Sequence, residues 1–528
     1  MSFSLLAQAA TPADTLLHTN VEYSRLLPEI ILVGGALGLL VLSSMFRRRA
    51  LSGLWGWCSA VISAGALGSS AWVWHEIDHH GPSLAVQGAI AVDGFSVFIM
   101  VAITSALVLG SLLADRYLVR EGLEGVELYV LALLSGAGGI LMGAANDLLV
   151  LFLGLEILSI SLYVLAGFHR RRAESGEAAM KYLVLGAFSS ALFLYGVALT
   201  YGATGSTNLQ EIADFLARNV LVHNGVLLAG LAFMLVGLSF KVAAVPFHTW
   251  TPDVYQGSPT PVTGFMAAAA KAAGFAGLLR VLTITFATER ATWQPVIWVL
   301  AILTLVVGAV LAVVQQDIKR MLAYSSINHA GFVLVGLQAG TANGVAASLF
   351  YLLAYTFMVM GSFAVVTLVA GRGDGAHGLE RYRGLSSRNA GLALIFTVLL
   401  MAQTGVPFTT GFFAKFYVIS AAVSSHSYAL AVIGMLAAAV AAFFYLRVIV
   451  LMYSPVAEAA EAAEEDEPAA GGSGVAAAGA TAVATATERI TIPFSTGLVL
   501  VLTLAFTLVF GVFPSPIVHF ARHATLLH

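Results

Sequence analysis

Apolar runs of about twenty residues, separated by short polar or glycine-rich breaks, recur from residue 29 almost to the end of the chain. They fall at roughly 29–46, 53–74, 91–113, 126–145, 148–168, 178–201, 225–245, 258–284, 293–315, 318–337, 342–370, 389–421, 428–453 and 491–513. Twenty apolar residues in helix cover a hydrocarbon layer of about 30 Å. The pattern therefore predicts an all-α polytopic membrane protein of about fourteen transmembrane helices. Residues 1–28 are mixed in character and read as a short tail outside the membrane.

Two runs are not simple spans. The stretch from Phe240 to Arg280, FKVAAVPFHTWTPDVYQGSPTPVTGFMAAAAKAAGFAGLLR, carries Lys241 near the end of an apolar helix that breaks at Pro246. A polar loop rich in proline follows, and a second apolar helix holds Lys271 near mid-depth. Val245-Pro246-Phe247 returns as Val406-Pro407-Phe408 in the twelfth run, which is too long for one straight span and has Gly405, Thr409, Thr410 and Gly411 at its middle. Proline lacks a backbone donor and clashes with the preceding turn, so the seventh and twelfth spans should be interrupted there. Broken helices at corresponding positions point to inverted repeats with a working site near the breaks.

Loop charge orients the spans. Arg47, Arg48 and Arg49 follow the first run; Arg170, Arg171, Arg172 and Lys181 flank the loop after the fifth. Lys319 and Arg320 follow the ninth; Arg372, Arg381, Arg383 and Arg388 follow the eleventh. All share one side by parity, so that side is cytoplasmic and both termini face outwards. Ser454–Glu488 breaks the pattern, being rich in Ala and Gly with the acidic cluster Glu464, Glu465, Asp466 and Glu467; it reads as a flexible cytoplasmic insert.

Composition narrows the class. The chain is 59% hydrophobic and 10% charged, with mean hydropathy +0.90, unlike a soluble domain. A net charge of -3 and the lack of basic tracts exclude a nucleic-acid partner. One cysteine, Cys58, excludes disulfides and iron–sulfur ligation. MSFSLLAQAATPAD lacks the basic region of a cleavable signal.

Four ionisable side chains sit well inside predicted spans: Glu156, Lys241, Lys271 and Lys415. Each costs about 2.5–3.5 kcal/mol to insert, so they read as functional. The bland alternative is snorkelling for Lys241 and Lys415, and a static ion pair for Glu156. Lys241 lies five residues before the first break and Lys415 eight after the second, which suggests swapped counterparts of an inverted repeat. A desolvated lysine can release a proton near neutral pH and a nearby carboxylate opposes that, so movement of Glu156 relative to Lys241 would load or unload the amine. His329, beside Ser325, Ser326 and Asn328, can relay protons or simply hold a helix contact. His248, at the first break, can feed the path or cap it. Asp93 and Asp147 read as interfacial. His75, Glu76, Asp78, His79 and His80 have metal-like spacing but fall in an exposed outer loop, where no functional metal is expected, and the same holds for His519 and His523 near the C-terminus. No nucleotide loop, nucleophile elbow or haem pair appears.

The stretch around Lys241 and Lys271, followed by QQDIKRMLAYSSINHAGF and GVPFTTGFFAKFYV, resembles the antiporter-like membrane subunits of respiratory complex I, the bacterial NADH–quinone oxidoreductase. The likeness runs from the first span to the fourteenth. It implies two inverted five-helix repeats, at residues 126–284 (helices 4–8) and 285–453 (helices 9–13). Three helices (29–125) precede them; the acidic loop (454–490) and helix 14 with its tail (491–528) follow. It pairs Glu156 with Lys241, sets Lys271 at the channel centre, and makes Lys415 the residue leading outwards or to a neighbouring subunit. Lysine at 415 and the lack of a long lateral helix resemble the N type of subunit; the acidic insert departs from shorter members. The resemblance implies a proton-translocating subunit of the bacterial inner membrane with no cofactor of its own, NADH, FMN, iron–sulfur clusters and quinone belonging to partner subunits. The implied partners are neighbouring antiporter-like and small membrane subunits. A multisubunit cation/proton antiporter is the rival reading; a membrane scaffold and a solute carrier are more distant ones.

Overall fold

The computed structural model describes residues 22–45, 53–219, 224–455, 490–524 and 526. The tail before residue 22, Arg47–Arg49 and the acidic cluster Glu464–Glu467 lie outside the described residues.

The apolar runs form helices, in chain order α1 (Leu27–Met45), α2 (Leu54–His80), α3 (Gly94–Glu121), α4 (Glu127–Ala144), α5 (Leu148–Ala166) and α6 (Ala173–Thr204). There follow α7 (Leu209–Arg218), α8 (Gly225–Val242), α9 (Trp250–Gly257), α10 (Thr260–Thr285), α11 (Arg290–Val313) and α12 (Ile318–Gln338). The last are α13 (Ala342–Ala370), α14 (Ala390–Thr404), α15 (Thr410–Ser424), α16 (Tyr428–Tyr453), α17 (Phe494–Val512) and α18 (Ser515–His523). Among them 11 are long and apolar enough to cross a membrane; α2 and α12 are long but more polar, and α14 and α15 are the halves of a broken span. A short antiparallel ribbon, β1 (Ser83–Ala85) with β2 (Ile90–Val92), closes the loop after α2.

Several loops prove to be ordered. The helix of the second run continues to His80, so the histidines expected in an outer loop lie on its last turns, with His80 3.3 Å from Glu76. Among the described residues no group of three or more His, Cys, Asp or Glu could hold a metal ion. The proline-rich loop after Pro246 contains α9, because Pro252 stands in the first helical turn, where its missing donor costs nothing. Residues 209–218 form an amphipathic surface helix capped by Asn208.

At the centre stands α10, where every residue but Thr283 is buried. Its Ala and Gly side chains let neighbouring backbones approach closely. It is not a uniform α-helix: π-helical turns occupy Met266–Ala270, directly before Lys271, and Val281–Thr285. Arg280 fixes its C-terminal end. The guanidinium lies 2.7 Å from Asp93 and donates to the Gly143 carbonyl at 2.6 Å, with both charged side chains fully buried. Asp93 also caps α3 through Ser96. The expectation that Asp93 is interfacial fails, because its partner is brought in from a distant helix.

At the opposite end, Asp374 collects the loop after α13. It accepts from Thr260 N (2.9 Å), Thr260 Oγ1 (2.6 Å) and Tyr117 OH (2.9 Å), with the Arg172 guanidinium 3.7 Å away. It thereby caps the first turn of α10. Lys319, expected on a solvated loop, is fully buried and donates to the Ser258 carbonyl at 2.6 Å. Its ammonium, with Arg172 and His377, faces the Asp374 carboxylate.

One shift in residue number relates two halves of the fold. Leu148 N bonds Thr207 O and Leu209 N bonds Asn146 O; the same shift gives Ile318 N to His377 O and Leu379 N to Gln316 O. Asp147 and Asp317 cap the helices that follow. It also carries Gly138, where a Cβ would stand 2.6 Å from Leu158 N, onto Gly308, where one would stand 2.5 Å from Asn328 N. The chain crosses an odd number of times between the two joints, so they lie on opposite faces, as inversion requires.

Two outcomes follow. Arg280→Met strands the Asp93 carboxylate and should cost about 3–5 kcal/mol, read as a lower unfolding temperature in detergent, with partial recovery in Arg280→Met/Asp93→Asn. Burial raises the Asp374 carboxyl, but Lys319, His377 and Thr260 outweigh it and hold it below the usual carboxylate range. A depressed carboxyl adds stability above its unfolded value of about 4 and loses it as pH falls through the folded one. Unfolding temperatures of wild type and Asp374→Asn should therefore differ at neutral pH and converge in acid.

Candidate functional site

The two broken spans share one kind of break. Ala243 N bonds Phe240 O and Ala244 N bonds Ser239 O; Gly405 N bonds Ala402 O and Val406 N bonds Met401 O. Ala243 and Gly405 both take the left-handed conformation that ends a helix in this motif. Each helix therefore stops before its proline, and the repeated Val-Pro-Phe stands one residue out of step between the two breaks. Matching caps sets Lys241 opposite Gln403, two residues before the left-handed residue in each case. Lys415 lies on the half-helix after the break, whose counterpart is α9. The two lysines are not counterparts, because inverted repeats keep their order along the chain.

Lys241, Lys271 and Lys415 are all buried, at 5%, 3% and 6% exposure, so none snorkels to the surface. Each amine is held by neutral oxygen. Lys241 Nζ donates to Ser159 Oγ at 2.8 Å and Tyr182 OH at 3.3 Å. Lys271 Nζ donates to the carbonyl of Ser326 at 2.5 Å and to its hydroxyl at 2.6 Å, beneath the ring of Tyr355. Lys415 Nζ donates to the Thr404 carbonyl at 2.7 Å, over the ring of Phe332. That carbonyl is one that the break of α14 leaves without a helical partner.

Glu156 lies one turn before Ser159 on α5. Its Oε1 is buried without a hydrogen-bond partner among the described residues, and no ion pair within 4.0 Å joins it to Lys241. The expected Glu156–Lys241 pair is therefore open in this conformation, with the amine one turn along on Ser159.

Between the lysines runs a line of hydroxyls and rings, of which the sequence singled out Ser325, Ser326 and His329 but not Tyr182, Trp250, Tyr255, Tyr351, Gln403 or Tyr445. Tyr182 stacks on Trp250 with centroids 4.6 Å apart; Trp250 packs on Tyr255, whose hydroxyl is 3.4 Å from Ser326 Oγ. Gly274, one turn after Lys271, leaves room for the Lys241 stem: a Cβ there would stand 3.2 Å from Lys241 Cγ. Beyond Ser326, Tyr445 OH bonds Ser325 Oγ, His329 Nε2 (3.1 Å) and Gln403 Oε1 (3.3 Å). His329 Nδ1 meets Tyr351 OH at 2.7 Å, and Gln403 donates to Ser362 Oγ at 2.7 Å. His329 is within electrostatic reach of both Lys271 and Lys415. His248 is half-buried in the loop after α8, and its Nδ1 bonds nothing among the described residues, so the structure does not join it to this line.

The shift that relates the two joints carries Glu156 onto Ser326 and Ser159 onto His329. Each half thus has a polar node near its break. In one, Ser159 and Tyr182 hold Lys241; in the other, His329 and Tyr351 stand with Gln403 and Tyr445.

Buried lysines bonded to neutral oxygen, on and beside interrupted helices, define an antiporter-type membrane subunit. A family model described as NADH:quinone oxidoreductase/Mrp antiporter, TM, matches residues 145–441. The subunit N of NADH-quinone oxidoreductase from Trichlorobacter lovleyi is 44% identical over 441 residues, 83% of this chain and 88% of that one. A chain of respiratory complex I from Thermus thermophilus with bound aureothin aligns at TM-score 0.74 and 30% identity, covering 94% of this chain and all of its own. A chain of the Mrp complex from Dietzia sp. DQ12-45-1b shares the fold at TM-score 0.77 with 19% identity, covering 96% and 97%. The chain belongs to the NADH:quinone oxidoreductase/Mrp antiporter transmembrane family, and within it to NADH-quinone oxidoreductase subunit N.

Tyr445→Phe removes one hydroxyl from Ser325, His329 and Gln403 at once. Unsatisfied buried partners cost about 1–3 kcal/mol, so the unfolding temperature in detergent should fall, and Tyr428→Phe at the exposed start of the same helix should leave it unchanged.

Proposed function

We propose that this chain is a proton-translocating membrane subunit of an NADH–quinone oxidoreductase, with Glu156, Lys241, Lys271, His329 and Lys415 as its intramembrane proton row. Partner subunits carry out electron transfer from NADH to quinone and hold the cofactors. Residues 126–284 and 285–453 are the two repeats, and the partners are the neighbouring membrane subunits of the complex in the bacterial inner membrane.

One observation carries the reading: the three amines of the row are buried among hydroxyls and carbonyls, with no carboxylate within 4.0 Å among the described residues. The Arg280–Asp93 pair is what a static buried charge looks like in the same protein. An ammonium bonded to neutral oxygen can lose its proton without breaking an ion pair, and the amine left behind still has hydrogen-bond partners. Glu156 acts as the switch. When it swings to Lys241 the charged amine is favoured; when Lys241 rests on Ser159 the proton is free to leave. Tyr182, Tyr255 and Ser326 lie between Lys241 and Lys271, and Tyr445, His329 and Gln403 between Lys271 and Lys415. Water bridging the remaining gaps completes the row.

A cation/proton antiporter subunit shares the fold and the family description, whereas the relatives at 42–50% identity are named as subunit N. Lys271→Met, introduced into the assembled complex, tests the proposal. Quinone-coupled proton translocation in vesicles should fall severalfold while NADH oxidation by an artificial acceptor, which bypasses the membrane arm, is unchanged. Full translocation by a correctly assembled variant would overturn it.

A further inference from the structure

At the membrane face away from Lys319 and Asp374, a cavity of about 100 Å³ opens between the start of α13, the end of α15 and the helix α18. Its mouth is formed by Asn343, Ser420, Ser424 and Arg522, and its wall by Phe350, Tyr417 and Val518. The proton row uses none of these residues.

The polar groups are exposed and unpaired among the described residues. Several serines and threonines in the spans, among them Ser63, Ser362 and Thr356, bond the carbonyl one turn back. Neither Ser420 nor Ser424 does so, and Asn343 and Arg522 make no side-chain hydrogen bond or ion pair among the described residues. The cavity has one cation and no carboxylate in its lining. Its level is that of the lipid headgroups. Asn343 is the second residue of α13, Ser424 is the last of α15, and Phe412, Phe413, Phe416 and Tyr417 form a band of stacked rings just below. The short helix α18 is pinned there, with Phe520 4.5 Å from Trp74 and 4.6 Å from Phe98. Arg522 is thereby held over the cavity, and its charge reaches Tyr417.

We infer that this cavity binds the phosphate of an anionic phospholipid, with Arg522 as the cation, Asn343, Ser420 and Ser424 as donors, and an acyl chain along the aromatic face of α15. A phosphate diester offers several acceptor oxygens and needs a charged donor with neutral donors around it. The rings on α15 supply the apolar track that a free anion does not need. The inference rests on membrane embedding and not on the proton row, so it stands or falls separately from it.

The test uses the whole complex in mild detergent, delipidated and titrated with short-chain phosphatidylglycerol, phosphatidylcholine or inorganic phosphate. Bound lipid is counted by native mass spectrometry. Arg522→Gln should weaken one phosphatidylglycerol site about tenfold. Ser420→Leu, which fills the cavity and keeps the charge, should do the same. Unchanged phosphatidylglycerol binding in both variants would overturn the proposal. So would equal retention of phosphatidylcholine at that site, or displacement of the lipid by millimolar inorganic phosphate, which would mark a free-anion site. Unfolding temperature and NADH oxidation by an artificial acceptor, both unchanged, separate these outcomes from misfolding.

Discussion

An ammonium or guanidinium ion placed in hydrocarbon must meet an opposite charge or be able to shed its own. A guanidinium cannot be deprotonated under these conditions, whereas a lysine can. Away from the Asp374 joint, where Lys319 is buried, the buried cations divide on that line. Arg280 has a carboxylate at 2.7 Å and a carbonyl besides, and it locks the C-terminal end of α10. Lys241, Lys271 and Lys415 have hydroxyls, carbonyls and aromatic faces. The permanent charge of Arg280 is used for structure, and these three removable charges lie beside the helix breaks and on α10.

Interrupted helices make the second arrangement affordable. A regular helix uses its carbonyls on its own amides, so a buried amine must share one, as Lys271 shares that of Ser326, or meet one that a break has freed. The break of α14 frees the Thr404 carbonyl for Lys415, and Trp250, just after the break of α8, returns its indole N–H to the Phe240 carbonyl. Small residues do the rest. Gly274 and Gly405 lie against the stems of Lys241 and Lys415, where a larger side chain would push the amines off their partners. The π-helical turn before Lys271 lies in a run of alanines that is buried throughout.

Much of this could be read along the chain, because hydrocarbon allows few solutions. Twenty-residue apolar runs give spans, and an internal lysine or proline is conspicuous against them. What could not be read depends on distance or on ambiguous chemistry. Asp93 and Arg280 sit at the ends of their spans, where charges are ordinary, and only the packing of α3 on α10 makes them a buried pair. Lys319 follows the basic pattern of a solvated loop, yet the acidic joint at Asp374 draws it inside. Tyr182, Tyr445 and Gln403 are residue types that fill apolar interiors as often as polar networks, so nothing marks them until their hydroxyls and amides are seen to converge. The Val-Pro-Phe repeat drew attention to the right region in the wrong register: the capping hydrogen bonds, not the prolines, define which residues correspond.

That corrected register has a consequence for the proposed proton row. The two halves share a joint, a glycine contact and a cap, but not the chemistry of their nodes. The first has Glu156, Ser159 and Lys241; the second has Ser326, His329 and Gln403 at the matching places. A carboxylate stands only at the first end. Elsewhere along the row a proton moves between bases, with no fixed negative charge to hold it, so no second position can trap it by ion pairing. Opening or closing Glu156 on Lys241 changes the charge that Lys271 faces, and each later group responds to its neighbour in turn. On this reading the asymmetry between the halves, and not their symmetry, makes one end the place where an outside event can act on the whole row.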